Sequence, residues 1–288
     1  MEILIIFIFQ NIFKLRKLIL ISISLFHLLN IVSIESSTKD NIKIVSLNSL
    51  GADIVSKLNN ESLVGMPGSS LLKGDKSLQD KVVISSGRMP PSIEKIIELK
   101  PDLVIGSKGF HDKVLSKLNQ LNIRTLETET KSIENLESLI EKLSKILNKD
   151  KKILLTKIKD CYKLPIKKKG SAVVLASTKP LLSPNSQSWA GSLLDRFKFN
   201  NITNNFKSNT EFKGYINLSP EILIKNKPTN LFIISFPGRP QNNLGIPKNL
   251  EKIIMNSKTK IHSFNYYGFI NPGSLQTINE ACMKLSEI

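Results

Sequence analysis

The sequence is short of the side chains that enzymes and metal sites depend on. Its 288 residues include two cysteines, three histidines, one tryptophan and four tyrosines. The histidines are His27, His111 and His262, and the first falls in an N-terminal apolar segment. Too few remain to build a zinc or manganese site from several imidazoles and carboxylates. Cys161 and Cys282 are far apart in the chain and show no Cys-x-x-Cys spacing, which excludes a thiolate metal knot. They fall in separate predicted helices, so packing rather than a disulfide is expected of them. There is no G-x-S-x-G elbow, H-E-x-x-H, Walker loop or G-x-G-x-x-G, and the glycines and lysines between Gly68 and Ser77 have the wrong spacing for a phosphate loop. With no nucleophile, base or metal placed by a motif, the chain reads as a non-enzyme with no cofactor.

Arginine is scarce as well, occurring only at positions 16, 88, 124, 196 and 239, so almost all of the net charge of +17 comes from lysine. Specific nucleic-acid readers use clustered arginine forks with interleaved aromatics. Lysine here is spread along the whole chain, which argues against nucleic acid and leaves a general preference for anionic ligands or membrane surfaces.

What is present begins with apolar residues. An ILIIFIF run, a basic break at Lys14, Arg16 and Lys17, and a second apolar run from Leu18 to Ile34 precede the small polar residues Glu35, Ser36, Ser37 and Thr38. Residues 1–36 therefore read as an export signal or, alternatively, an uncleaved membrane anchor; the second run of about 17 residues is at the lower limit for spanning. Translation could also start nearer Lys14. The expected location is periplasmic, with or without that anchor.

The most informative pattern occurs twice. Ser92-Ile93-Glu94 opens an apolar helix that ends at Lys100-Pro101 and leads into Leu103-Val104-Ile105. Ser219-Pro220-Glu221 does the same before Lys227-Pro228 and Leu231-Phe232-Ile233-Ile234. Serine caps a helix start, proline suits its first position, and glutamate complements the dipole. The proline after each helix stops it, and an unbroken apolar run predicts a strand buried on both faces. Two such steps predict an α/β protein of two lobes bridged by a long connector helix, with a ligand cleft between them. The N-terminal lobe is placed at 42–131 and the C-terminal lobe at 170–288. The connector at 132–165 carries a helical stripe of Leu136, Leu139, Ile140, Leu143, Ile146 and Leu147.

Read together, IVSLNSLGADIV at 44–55, LVGMPG at 63–68, IEKIIELKPDLVIGS at 93–107, AGSLLDRF at 190–197, NLSPEILIKNKPTNLFII at 217–234 and FNYYGFINPGSLQTINEACMKL at 264–285 resemble the substrate-binding proteins of ABC importers for ferric siderophores, haem and cobalamin. The resemblance spans residues 42 to 287. It implies a monomer that captures a small metal chelate or corrinoid and delivers it to an ABC permease. It also implies that Glu94 and Glu221 dock on permease arginines, although helix-start acids would be exposed in any case.

Ligand contacts are expected from loops at strand ends. These give Arg88 and Tyr215, each six residues before its glutamate, together with Lys108, Phe110, His111, Trp189, Arg239, Tyr266, Tyr267 and Phe269. Phenolate ligation of iron by Tyr266 and Tyr267 is less favoured, because neighbouring residues at a strand end often point apart. Two alternatives stand beside transport: an envelope protein that has kept the fold without a cargo, and a direct metal-ion binder.

Overall fold

The parity of the apolar strand runs sets the architecture. In β1 (Ile44–Ser46), Ile44 points into one hydrophobic cluster and Val45 into another. β4 (Leu103–Ser107) divides Leu103 and Ile105 from Val104, and β6 (Ser171–Leu175) divides Ala172 and Val174 from Val173 and Leu175. β11 (Asn230–Ser235) sends Phe232 and Ile234 one way and Leu231 and Ile233 the other. Each strand is covered on both faces, as its unbroken apolar run requires.

The structure is a computed structural model that describes residues 41–86, 89–207, 210, 213–236 and 258–288. The N-terminal segment, Arg88, Arg239 and a helix expected near Leu250 to Met255 lie outside these residues. Among the described residues, no helix is long and apolar enough to cross a membrane.

The N-terminal lobe is a parallel sheet in the order β3-β2-β1-β4-β5, with β2 at Leu63–Gly68, β3 at Val82–Ser86 and β5 at Thr125–Thr128. Helices α1 (Ser49–Leu58), α2 (Ile93–Glu98) and α3 (Asp112–Gln120) connect its strands. The C-terminal lobe has a parallel sheet in the order β12-β11-β6-β9, with β9 at Asn200–Asn201 and β12 at Lys260–Asn265. Helices α6 (Trp189–Arg196) and α7 (Pro220–Asn226) flank that sheet. Both copies of the repeated step end alike: Lys100 and Lys227, each just before its proline, turn left-handed at φ 47° and 41° to end α2 and α7. They start differently, since Ser92 Oγ accepts from Lys95 N at 3.3 Å whereas the Ser219 side chain makes no capping bond and Pro220 opens α7 instead.

Two features, an antiparallel sheet and a disulfide, depart from expectation. The C-terminal lobe carries an antiparallel sheet β10-β8-β7, from Tyr215–Asn217, Leu181–Pro184 and Ser177–Thr178, which the repeated step gave no hint of. The connector is one helix, α4 (Ile133–Leu147), ended by left-handed Asn148, followed by a short α5 (Lys152–Leu155) and a 3-10 segment at Thr156–Tyr162. Cys161 and Cys282 form a disulfide and do not merely pack. The 3-10 segment runs against the terminal helix α9 (Leu275–Glu287), bringing two Cα atoms 121 residues apart in sequence to 4.8 Å.

The sheet faces not covered by α2, α3 and α7 share a single hydrophobic cluster. It joins Ile44, Leu63 and Ile105 of one lobe to Val174, Phe232 and Phe264 of the other through α1, α4, the 3-10 segment and α9. A shared core of this kind resists large domain motion.

Candidate functional site

The C-terminal ends of the parallel strands in the two lobes are built from different chemistry. In the N-terminal lobe they are tied by side-chain hydrogen bonds. Asn48 caps α1 by accepting from Gly51 N at 2.7 Å, while its amide donates to Ser107 Oγ at 3.0 Å and Thr128 Oγ1 at 3.3 Å. Thr128 in turn donates to the Gly106 carbonyl at 3.0 Å. One residue thus locks the ends of β1, β4 and β5 together.

At the corresponding end of the C-terminal lobe is an aromatic turn, α8 (Tyr266–Phe269), which directly follows β12. Phe236, just past β11, stacks on Tyr266 with ring centroids 5.2 Å apart, and Tyr266 meets Tyr267 edge to face at 5.3 Å. The turn depends on Gly268, which has φ 90°, and a Cβ there would sit 2.0 Å from the Thr277 carbonyl oxygen. Burial pushes the Tyr215 hydroxyl up to about 12, with Tyr266 adding to the effect. Burial also raises Tyr266. At neutral pH both are phenols, able to donate hydrogen bonds, rather than phenolates.

Two contacts join the lobes beside this turn. The Leu275 N–H at the start of α9 donates to Asp53 of α1 at 2.9 Å. Leu71, in the loop after β2, reaches Gly273, where a Cβ would lie 3.0 Å from its Cδ2 and 2.9 Å from Cδ1 of Tyr267. At the rim, Lys131 pairs with Glu129 at 2.6 Å and holds that carboxyl below the usual range, with Lys108 and Lys213 of the other lobe contributing.

The residues expected to touch a ligand divide accordingly. Tyr215, Tyr266 and Tyr267 come together. Phe110 is 84% exposed and Lys108 sits 3.8 Å from Glu127, both after β4. His111 Nδ1 accepts from Ser107 N at 2.9 Å and closes the turn into α3, and burial lowers its pKa, keeping the ring neutral. Trp189 and Phe269 are core residues. Trp189 is 4% exposed with its indole N–H donating to the Gly268 carbonyl at 2.8 Å, and Phe269 packs 4.4 Å from Phe264. Their contribution is to hold the tyrosine turn from beneath. Sequence reasoning passed over Phe236, Asn48, Asp53 and Leu71; the strand-end position of Phe236 was the one available signal.

Among the described residues, no three His, Cys, Asp or Glu side chains come close enough to hold a metal ion. A groove of about 600 Å³ between α3 and the edge strand β5 is lined wholly by the N-terminal lobe, including Asp112, Asn119 and Glu127, and is separate from the aromatic turn.

Both repeat glutamates are exposed. Glu94 is held below the ordinary carboxylate range by its own backbone N–H and the Ser92 hydroxyl, and Glu221 by its own N–H and Ser219.

Comparison with known proteins gives these features a context. A family model described as periplasmic binding protein matches residues 44–251. The iron-uptake system-binding protein of Bacillus subtilis (strain 168) is 41% identical over 44 residues, which span 15% of this chain and 14% of that protein. Among solved structures, an ABC transporter substrate-binding protein from Listeria monocytogenes EGD-e superposes with a TM-score of 0.65 at 20% identity, covering 86% of this chain and 98% of that one. The periplasmic haem-binding protein HutB of Vibrio cholerae gives 0.63 at 19%, covering 85% and 99%.

Proposed function

The chain belongs to the periplasmic binding protein family, and on that premise we propose that it captures a metal chelate (a ferric siderophore or haem) or cobalamin and delivers it to an ABC permease. Family membership puts its work outside the cytoplasm, and a buried disulfide suits an oxidising compartment. The observation that carries the choice of ligand is the turn of Phe236, Tyr266 and Tyr267, with Tyr215 close by. Stacked aromatic faces favour a broad, partly planar ligand, and neutral phenols favour one bearing oxygen acceptors. The rim lysines Lys108, Lys131 and Lys213 stand beside two carboxylates, Glu127 and Glu129, and the small excess of positive charge favours a net negative one. The chain performs no reaction on its cargo.

Docking would use Glu94 and Glu221, both ionised at neutral pH and exposed at the same point of the repeated step. Location in the periplasm, with or without an N-terminal anchor, completes the reading.

The test is titration of the mature protein with ferric hydroxamate, ferric catecholate, ferric citrate, haem and cyanocobalamin, followed by tryptophan fluorescence and calorimetry. Trp189 holds the carbonyl of Gly268, so it reports on the turn itself. Saturable binding of one compound, weakened about tenfold or more by Tyr267→Ala, is expected. Absence of binding by all five overturns the chelate reading and favours an envelope protein that has kept the fold without a cargo.

A further inference from the structure

The two copies of the repeated step share more than their acids. Three residues after Glu94 stands Ile97, 42% exposed, and three after Glu221 stands Ile224, 39% exposed. Ile96 and Leu223, one residue earlier, are buried in the clusters on the outer faces of their sheets. The residues around the exposed isoleucines, Lys95 and Glu98 in α2 and Lys225 and Asn226 in α7, are exposed and polar. Side chains three apart are neighbours on a helix face, so each lobe displays a carboxylate beside a branched apolar side chain.

A single exposed isoleucine needs no explanation. Isoleucine is also a weaker helix former than leucine, lysine or glutamate, and neither helix exceeds seven residues, so local folding does not favour it at an open position. Its recurrence at the same offset from the same acid, in lobes whose other loops have diverged, is accounted for by a partner. The two carboxylates are negative points on a chain of net charge +17, which calls for a basic complement.

We infer that Ile97 and Ile224 are matched apolar contacts on the docking face, each seated beside its glutamate in one half of a two-fold or pseudo-two-fold membrane permease. That permease presents an arginine or lysine next to an apolar cup twice. The inference rests on the docking role proposed above for Glu94 and Glu221. A partner offering its patch once would engage one lobe and leave the other copy without use. The apolar contacts exclude water from the charged pairs, which is where such pairs gain most.

The experiment places the photo-crosslinking residue p-benzoylphenylalanine at position 94, 97, 221 or 224 of the full chain, in the cells that make it, and identifies the adducts by mass spectrometry. Position 166 serves as control, because Ile166 is 93% exposed but lies outside both repeats. The expected result is adduct formation from both 97 and 224 with a membrane-spanning permease subunit, at least fivefold above that from 166. Adducts from 94 and 221 without any from 97 and 224 overturn the isoleucine pair and leave glutamate docking standing. No adduct from all four positions overturns both. Equal yield from 166, or adducts from only one of the isoleucine positions, also overturns the paired contact. In a second measurement, Ile97→Ser with Ile224→Ser is expected to lower uptake of the compound bound in the five-ligand panel at least tenfold with its affinity unchanged; wild-type uptake overturns the inference.

Discussion

The two lobes begin from the same αβ step and end in opposite chemistry. At the strand ends of the N-terminal lobe, Asn48, Ser107 and Thr128 satisfy one another and leave a polar floor. At those of the C-terminal lobe, Phe236, Tyr266 and Tyr267 form an aromatic surface on a glycine turn. The scaffold is common because strand burial and helix capping constrain it. The strand ends differ because loops are free of those constraints, and this is where a ligand preference can be written. On this view, changes beneath the aromatic turn should be costly to binding, while changes in the polar lobe should mainly cost stability.

The largest effect is expected at the disulfide. It closes a loop spanning 121 residues and ties the connector to α9, the helix that Gly268 rests against. Replacing Cys161 and Cys282 by alanine should cost about 2–5 kcal/mol, read from denaturant unfolding. Hydrogen exchange should show greater loss of protection in α9 than in β1–β5. Equal loss in both lobes would break the distinction drawn here.

Next comes a pair of glycines. Gly268→Ala combines an unfavourable φ with a backbone clash and should destabilise by about 3 kcal/mol, while weakening ligand binding at least tenfold. Gly109, at φ 79° in the N-terminal lobe, has nothing within 4 Å of a built Cβ, so Gly109→Ala should cost only about 1–2 kcal/mol. Similar costs in melting experiments would mean that the tyrosine turn is less tightly held than its contacts imply.

Asn48→Ala tests the polar side. It removes a helix cap and two hydrogen bonds and should cost about 1–2 kcal/mol, with affinity for a bound chelate changing less than threefold in calorimetry. A large loss of affinity would show that the polar floor, and not only the aromatic turn, contacts the ligand.

The repeated step was legible because local rules agree there: serine before each helix, glutamate in its first turn, proline after it, and strand runs with no polar interruption. The antiparallel β7–β8–β10 sheet was not, since its strands are two to four residues long and too short for a periodic signal. The disulfide was hidden for a different reason. Pairing over 121 residues depends on how the connector crosses α9, which no local pattern encodes. At the site, strand-end position pointed to Tyr215, Tyr266 and Tyr267, and the fold sets these three near one another. It also drew in Trp189 and Phe269, because a residue next to a loop can point inward or outward and only the fold decides.

The smallest expected effect is a dependence of stability on alkaline pH. Tyr215 titrates at about 12 in the folded protein because burial disfavours the phenolate, against 10.0 for an ordinary tyrosine. Between these values the unfolded chain loses its proton first, so it binds fewer protons than the native state and stability falls as pH rises. The contribution is intact below pH 10 and is lost by about pH 12. For a half-buried ring the loss is on the order of 1–2 kcal/mol after solvent screening. Thermal melts from pH 9 to 12 should show this decline, and Tyr215→Phe should flatten it by removing the titrating group. An unchanged slope in Tyr215→Phe would assign the effect to Tyr266 at the turn or to Tyr162 of the 3-10 segment, whose hydroxyls are also raised by burial. A slope flattened by Tyr266→Phe and not by Tyr162→Phe would place the most enclosed ring at the turn itself.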